Sequence, residues 1–429
     1  MGGKVSQKTL TKESVGVVGL GYVGLPVAQH ATRAGFSVTG FDISEPTVVS
    51  LNSGSSHIDD ISDPEMQEML DNGFSATHIQ EHFSQLNVYV ICVPTPLIDG
   101  TRPDVSAIES AGRIVAQGLS KGSLVILEST SYPGTTEKVL LPILEKNGLR
   151  AGTDFSLCFS PERIDPGNPD FTFANTPKIV GGFTENCRDR GVEFYATMVD
   201  KVVPTRGLQE AEMAKLLENT YRHVNIALVN EMARFSADLG IDFWDVIDAA
   251  ATKPFGFQAF YPGPGVGGHC IPIDPNYLSH HVRSETGYAF RFVELAQDIN
   301  QSMPAYVANR VQELLNRDSL SVKGSQVLIL GVTYKKDVSD LRESPAIPVA
   351  RALLRMGANL VFHDPYIQDW QIDGTPIPRV RDPLLTAKNA DCCVLLQNHS
   401  AYNPEDLTAA AKRLLDTRGI TRNSQTERL

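Results

Sequence analysis

Cys270 stands at the end of Gly263-Pro264-Gly265-Val266-Gly267-Gly268-His269-Cys270, with Asp274 one helical turn beyond it. Four glycines among residues 263–268 exclude a regular helix or strand, so the segment is a loop that exposes backbone amides. A thiol at the end of such a loop can meet a ligand and act as a nucleophile. The competing reading is a small buried residue, the usual fate of a free cysteine. Local sequence leaves both open. Cys92, Cys158, Cys187, Cys392 and Cys393 have no comparable setting and read as buried. Lys215 and Asn219 lie four apart in a helical pattern and share a face. The lysine sits among Met213, Ala214, Leu216 and Leu217, and reads either as a working cation or as a chain snorkelling to solvent. Thr130 in Glu128-Ser129-Thr130-Ser131-Tyr132-Pro133-Gly134, and Glu162 in Ser160-Pro161-Glu162-Arg163, follow apolar runs. Both fall at the carboxyl ends of predicted strands, where open α/β sheets bind ligands. Spacing alone does not raise either above a capping or solvated residue.

A second constellation concerns a cofactor. Gly19-Leu20-Gly21-Tyr22-Val23-Gly24 directly follows the apolar run Val15-Gly16-Val17-Val18 and opens a helical stretch. Its first glycine permits a tight turn, the second lets a pyrophosphate approach the backbone, and the third lets helix pack on strand. The helix N-terminus then offers unpaired N–H groups and a positive dipole end to phosphates. Asp42 follows eighteen residues after Gly24, at the end of the next predicted strand. An acid there accepts hydrogen bonds from the adenosine ribose and repels a 2′-phosphate, which favours NAD over NADP. FAD is a weaker rival for the same fingerprint.

These residues need elements to hold them. At 429 residues the chain is too long for one ordinary core and fits two or three domains. With 42% hydrophobic and 21% charged residues it has the composition of a globular enzyme, and no run of eighteen apolar residues suggests a membrane span. The polar start, Met1 to Ser14, lacks the apolar stretch of a secretory signal. A net charge of −12 argues against nucleic acid or an anionic membrane as partner, but not against an anionic small ligand. The unpaired spacing of six cysteines fits neither a disulfide framework nor a zinc site. The reading is therefore a reducing cytoplasm and no metal.

Strands are predicted at Val15–Gly19, Ser37–Phe41, Val88–Val93 and Leu124–Leu127, with helices near Leu25–Ala34 and Val105–Gly118. That alternation implies a doubly wound α/β sheet, ending near residue 205. A long helix is predicted over Gln209–Leu239, then helices at Phe243–Ala251 and at Tyr288–Asn316 with a proline interruption. A second α/β unit begins at Lys323, with strand Val327–Leu330, helix Ile347–Met356, and strands Asn359–Phe362 and Cys392–Leu396. It lacks a full glycine fingerprint, so its ligand need not be a dinucleotide. The tail after Arg418 reads as frayed.

Taken together, the segments closely resemble the UDP-glucose/UDP-N-acetylhexosamine 6-dehydrogenase family over residues 15 to 420. The resemblance is carried by Gly19-x-Gly21-Tyr22-Val23-Gly24, Val93-Pro94-Thr95-Pro96, Glu128-Ser129-Thr130 before Pro133-Gly134, and Pro161-Glu162. It continues through Lys215-x-x-x-Asn219, Gly265-x-Gly267-Gly268-x-Cys270-x-x-x-Asp274, Tyr334-Lys335, and Asp340-x-Arg342-Glu343-Ser344-Pro345. It implies two Rossmann-like α/β domains joined by a long central helix and a helical dimerisation domain. The NAD-binding domain would cover 1–205, the central domain 206–316, and the UDP-sugar-binding domain 317–429. Cys270 is then implied as nucleophile, with Lys215, Asn219 and Asp274 organising water and sugar oxygens, and Glu162 and Thr130 in proton transfer or water positioning. Gly19, Gly21, Tyr22, Val23, Gly24, Asp42, Thr95, Thr130 and Arg342 would serve the cofactor. Glu162, Arg163, Lys215, Asn219, Phe260, Tyr261, Gly265, Gly267 and Lys335 would serve a UDP-sugar.

The implied reaction oxidises C6 of the sugar to a carboxylate with two NAD, in a cytoplasmic homodimer or higher oligomer of nucleotide-sugar and polysaccharide biosynthesis. One departure is informative. UDP-glucose enzymes carry Glu-Phe-Leu-x-Glu-Gly where this chain has Glu162-Arg163-Ile164-Asp165-Pro166-Gly167. Arg163, Pro166 and the segment Lys253 to Gly263 resemble the N-acetylhexosamine branch, which points to UDP-GlcNAc ahead of UDP-GalNAc, UDP-ManNAc and UDP-glucose. The rivals are a two-electron β-hydroxyacid dehydrogenase and a silent NAD-binding regulator.

Overall fold

The valines of the first apolar run divide between two faces, as successive side chains of a strand must. Val15 and Val17 enter one hydrophobic cluster, with Leu25, Val27 and Ala28, while Val18 enters another with Ile108 and Val115. A strand buried on both faces belongs inside a sheet covered by helices. In the computed structural model, which describes residues 13–98, 102–164, 168, 170–268, 271, 273–422 and 426–429, that is where it lies. The chain packs as two compact units, one ending at Glu218 and the other starting at Asn219.

The first unit contains β1 (Ser14–Val18), α1 (Gly24–Arg33), β2 (Ser37–Phe41), β3 (Phe74–Thr77), β4 (Val88–Ile91), β5 (Leu124–Leu127), β6 (Ser156–Phe159), β7 (Lys178–Gly182) and β8 (Val202–Pro204). The strand order is β8-β7-β6-β5-β4-β1-β2-β3. The chain winds outward from β1 through β2 to β3 and then returns to β4 on the other side of β1. The β1/β4 boundary is therefore the switch point at which such sheets bind ligands. One junction breaks the parallel pattern: β7 runs antiparallel to β6, with Cys158 opposite Gly182 and Phe159 opposite Gly181. Strand α/β patterning predicts a parallel sheet and gives no hint of this reversal.

The long helix α2 (Leu208–Asp238) starts in this unit and continues into the second. Its start is pinned by the buried Glu212. That carboxylate accepts the N–H of Gly134 at 2.5 Å, the N–H of Thr136 at 2.9 Å and the Thr136 hydroxyl at 2.6 Å. The turn that follows Thr130 is thus fixed to the helix that carries Lys215.

The second unit holds α3 (Phe243–Ala251), α4 (Asp274–Thr286), α5 (Arg291–Arg317), β9 (Gln326–Leu330), α6 (Ala346–Arg355), β10 (Asn359–His363), β11 (Cys392–Leu395), β12 (Leu414–Asp416) and β13 (Glu427–Arg428). Its sheet, β10-β9-β11-β12-β13, is parallel throughout. Two expectations are corrected here. The helix of the 288–316 region is continuous through Pro304. Proline lacks the N–H that would pair with the carbonyl of Asn300, and that carbonyl instead faces the glycine loop, 3.4 Å from where a side chain on Gly265 would begin. The last described residues of the tail are not frayed: Glu427–Arg428 pairs with β12, Leu429 is buried, and its carbonyl accepts the Trp244 indole N–H at 2.8 Å. Among the described residues no helix is long and apolar enough to cross a membrane.

Candidate active site

The glycine fingerprint forms the turn between β1 and α1. Gly19 has φ +88°, and a Cβ there would stand 2.6 Å from the Cys92 carbonyl oxygen. A Cβ on Gly24 would stand only 1.8 Å from the Gly19 carbonyl oxygen, so helix and turn touch through bare backbone. Gly21 is the opposite case: a Cβ there meets nothing within 4 Å. Its space opens outward, as a cradle for a pyrophosphate requires. Tyr22 and Val23 are half-buried against the core beneath. The Gly19 N–H donates to the Phe41 carbonyl, and Asp42 holds the turn by accepting the Leu20 N–H at 3.0 Å and the Ser44 N–H at 2.9 Å. Each carboxylate oxygen keeps a second lone pair for a ribose hydroxyl. Thr95 lies half-buried in the loop that leaves β4, on the other side of the switch point. The residues fit a dinucleotide.

If Asp42 reads the ribose, Asp42→Ala removes a charge-assisted acceptor and the repulsion of a 2′-phosphate together. We expect the NAD-over-NADP ratio of kcat/KM to fall about ten- to hundredfold, one such bond being worth ~1.5–3 kcal/mol. Equal use of the two cofactors by the unmodified enzyme contradicts the assignment.

The same turn recurs in the second unit. Gly331 follows β9 with φ +74°, its N–H donates to the His363 carbonyl, and the Val332 N–H donates to Asp364 at 2.7 Å. Here, however, Asp364 is fully buried and its carboxylate also meets His399 Nε2 at 3.0 Å. His399 Nδ1 accepts the Asp337 N–H at 3.0 Å, which places the imidazole proton on Nε2. An acid committed in this way cannot read a ribose, so the frame is shared and the dinucleotide function is not.

Catalytic candidates of the first unit cluster beyond β5 and β6. Thr130 is half-buried two residues after the buried Glu128. Glu162 Oε1 accepts the N–H groups of Arg163 at 2.6 Å and Ile164 at 2.5 Å, while Oε2 meets Lys178 Nζ at 3.3 Å. Burial pushes the Glu162 carboxyl up, but Lys178, these amides and Lys215 together hold it below its ordinary value. It is thus an ionised acceptor, suited to orienting water or a hydroxyl and poor as an acid. Lys215 Nζ donates to the Glu162 carbonyl at 2.5 Å. Arg163 is a strut: its guanidinium meets Glu218 at 2.7 and 3.3 Å and donates to the Pro177 carbonyl at 2.6 Å. A fork so engaged shapes the segment around Glu162.

In the second unit, Asp274 is the first residue of α4, buried at a helix N-terminus that favours its charge. Asn219 Nδ2 donates to it at 2.5 Å. Cys270 lies outside the described residues, as do His269 and Pro166. The loop leading to the cysteine is defined. A Cβ on Gly267 would fall 2.7 Å from the Glu343 carbonyl oxygen and 2.9 Å from Pro345 and Tyr334, and the Gly268 N–H donates to the Arg342 carbonyl. Tyr334-Lys335 and 342–345 therefore form the wall on which the glycine loop rests. Lys335 is half-buried in that wall, and the exposed Arg342 is held in a bidentate pair by Asp340.

Phe260 packs edge-on against Tyr221, and Tyr261 stacks on Trp244 with ring centroids 5.6 Å apart. Beside Tyr261 a cleft of about 200 Å³ is lined by Trp244, Arg418, Arg422 and Arg428. Arg418 donates to the Leu396 carbonyl, and burial draws its pKa down to about 10, so it stays charged and an anion would stabilise it. The motif Glu128-Ser129-Thr130 marks Glu128 without giving it a role, and nothing in the sequence analysis points to Arg418, Trp244 or Lys178. Of these three, Lys178 leaves a signal, as a lysine opening the apolar strand Lys178-Ile179-Val180-Gly181-Gly182.

Models of the UDP-glucose/GDP-mannose dehydrogenase family match the chain in order: the NAD binding domain over residues 13–199, the central domain over 209–302, and the UDP binding domain over 328–423. The chain belongs to that family. A UDP-N-acetyl-D-mannosamine dehydrogenase of Pyrococcus horikoshii is 36% identical over 82% of this chain and 84% of its own. A UDP-N-acetyl-D-glucosamine 6-dehydrogenase of Pseudomonas aeruginosa is 35% identical over 82% of this chain and 83% of its own. The solved structure of the UDP-D-ManNAc dehydrogenase from P. horikoshii matches with a TM-score of 0.88 at 33% identity, covering 97% of this chain and 98% of that one. The protein is an oxidoreductase, an NAD-dependent nucleotide-sugar dehydrogenase.

Proposed function

We propose that the enzyme oxidises C6 of a UDP-N-acetylhexosamine, UDP-GlcNAc foremost, to the uronic acid through a thioester on Cys270. The observation that supports it most is on α2. Within the first unit Lys215 is tied to Glu162, and within the second Asn219 is tied to Asp274, so each unit holds two members of the expected set together. NAD, when bound, accepts the hydride that leaves C6, twice per sugar. Removal of the first hydride and of the hydroxyl proton leaves an aldehyde. The Cys270 thiolate adds to it, giving a tetrahedral adduct from which a second hydride can leave. Water then cleaves the thioester, releasing the acid and the thiol. Lys215 and Asn219 would steady the developing oxyanions, where one donor is worth roughly 3 kcal/mol. Asp274 would orient Asn219, and Glu162 and Thr130 would place water.

The Tyr261–Arg418 cleft and Lys335, with the amides of Gly265 and Gly267, would hold the UDP part, and Arg342 and Thr95 would help seat the cofactor. Arg163 would bear on sugar choice only through Glu162. Tyr221, Leu228 and Phe235, each about half exposed and seven residues apart, form an apolar stripe on α2 beside a groove containing Phe257 and Phe260. We propose this stripe as the homodimer face, which the sedimenting mass tests. Five described cysteines are unpaired and buried, in keeping with work in the cytoplasm.

The test is a panel of UDP-GlcNAc, UDP-ManNAc, UDP-GalNAc and UDP-glucose with NADH counted per sugar. Two NADH per sugar are expected, with kcat/KM favouring UDP-GlcNAc over UDP-glucose on the order of 10²-fold. One NADH per sugar removes the thioester route, and equal turnover of UDP-glucose removes the N-acetyl assignment. The Pyrococcus relative's name makes UDP-ManNAc the second reading.

A further inference from the structure

Lys178 is a lysine with almost no access to water, its side chain 5% exposed. Its ammonium meets Glu128 at 2.8 Å and Glu162 at 3.3 Å. The Phe173 and Tyr195 rings flank it at 5.4 and 5.1 Å, and the Tyr195 hydroxyl donates to Glu128. An ammonium is expensive to bury alone. Here two carboxylates and two aromatic faces replace its water.

The reversed strand explains how it comes to be there. In the antiparallel β6–β7 pair, Cys158 faces Gly182 and Phe159 faces Gly181, so each step forward on one strand is a step back on the other. Three further steps set Glu162 against Lys178. In a parallel β7 the first residue would lie at the opposite edge of the sheet, far from the ends of β5 and β6. The reversal delivers one cation to the point where two ligand-facing segments leave the sheet, the one bearing Glu128 and Thr130 and the one bearing Glu162.

We propose that Lys178 is a positioning residue for the dehydrogenase reaction, fixing the Glu162 carboxylate and, through Glu128, the Thr130 segment relative to each other. The proposal rests on the working role of Glu162 given above. Burial raises Glu128, whereas Glu162 is held ionised. Removing Lys178 takes away the principal cation opposing burial at Glu162, so its carboxyl must rise. Glu162 would then be ionised only at higher pH, and the acidic limb of the kcat profile should move upward.

The experiment compares the intact enzyme with Lys178→Met, Lys178→Arg, Glu162→Gln and the Glu162→Gln/Lys178→Met double variant. Lys178→Met should lower kcat roughly ten- to hundredfold, as for a misplaced catalytic group, with the NAD KM little changed. Its acidic limb should shift to higher pH, and Lys178→Arg should restore most of the rate and the profile. In the Glu162→Gln background Lys178→Met should add little. If Lys178→Met does not fold, Lys178→Met/Glu128→Gln removes the unbalanced charge, and the same limb shift is expected in it. Full activity in Glu162→Gln overturns the role of Glu162 itself. An impaired Glu162→Gln beside a Lys178→Met with unchanged kcat and profile overturns the present inference, as does full additivity in the double variant.

Discussion

Cys270→Ser should abolish steady-state conversion to the acid, by roughly 10⁴-fold or more, while the UDP-sugar still binds. Loss of a covalent nucleophile is among the largest single-residue effects in enzymes. The reason is specific to the second oxidation, since an aldehyde carries no hydride in an arrangement that can be surrendered until a nucleophile has added. Serine is the sharper probe than alanine. It fills nearly the same space, but its hydroxyl is a far weaker nucleophile at neutral pH. Isothermal titration with UDP-sugar should give a Kd within a few fold of the unmodified protein. Rapid mixing should show at most one NADH per site, and mass spectrometry of the unmodified enzyme should find the sugar-acid adduct on Cys270 alone. Undiminished acid formation by the serine variant eliminates the covalent route.

Gly24→Ala and Gly21→Ala should separate fold from cofactor. At position 24 the new methyl would lie 1.8 Å from the Gly19 carbonyl oxygen, a backbone atom that can move only with β1 and α1. Overpacking of this kind costs about 3 kcal/mol or more. In a unit of this size that is a fall in Tm of roughly 6–12 °C, with cofactor affinity lost alongside. At position 21 nothing within 4 Å opposes a methyl. Thermal stability should hold there within a degree or two, while the NAD KM rises at least about tenfold because the methyl enters the space for the pyrophosphate. Equal destabilisation by both substitutions, or unchanged NAD binding in Gly21→Ala, contradicts this account of the turn.

Much of the architecture was legible because local chemistry and burial agree. β2, β5 and α3 carry the predicted bounds, and α2 differs by a residue at each end. Glycine turns, strand-end acids and spacing by four are short-range signals, and they marked Asp42, Lys215 and Asn219. What stayed hidden depends on long-range pairing. The reversal of β7 is a matter of partner choice, and an apolar run reads alike in either direction. Lys178 and Arg418 gain their meaning from Glu162 and from Tyr261, distant in sequence. Pro304 was read as a break because the pattern cannot show that Asn300's released carbonyl has the glycine loop to face. Nothing near Arg163 in the sequence shows that Glu218, fifty-five residues on, takes its guanidinium.

The close seating of Gly267 on Glu343, Pro345 and Tyr334 constrains how this enzyme can be re-engineered. A donor loop transplanted from a relative with another sugar preference would arrive with its own backbone path. It would then meet a wall shaped for the original, with less than a methyl group of slack. Chimeras that exchange residues 253–274 alone should therefore misassemble. Those that carry residues 334–345 with them move both halves of one mould and should retain a working pocket. On this packing, the piece that must be moved to transplant the loop is a pair of segments distant in the chain.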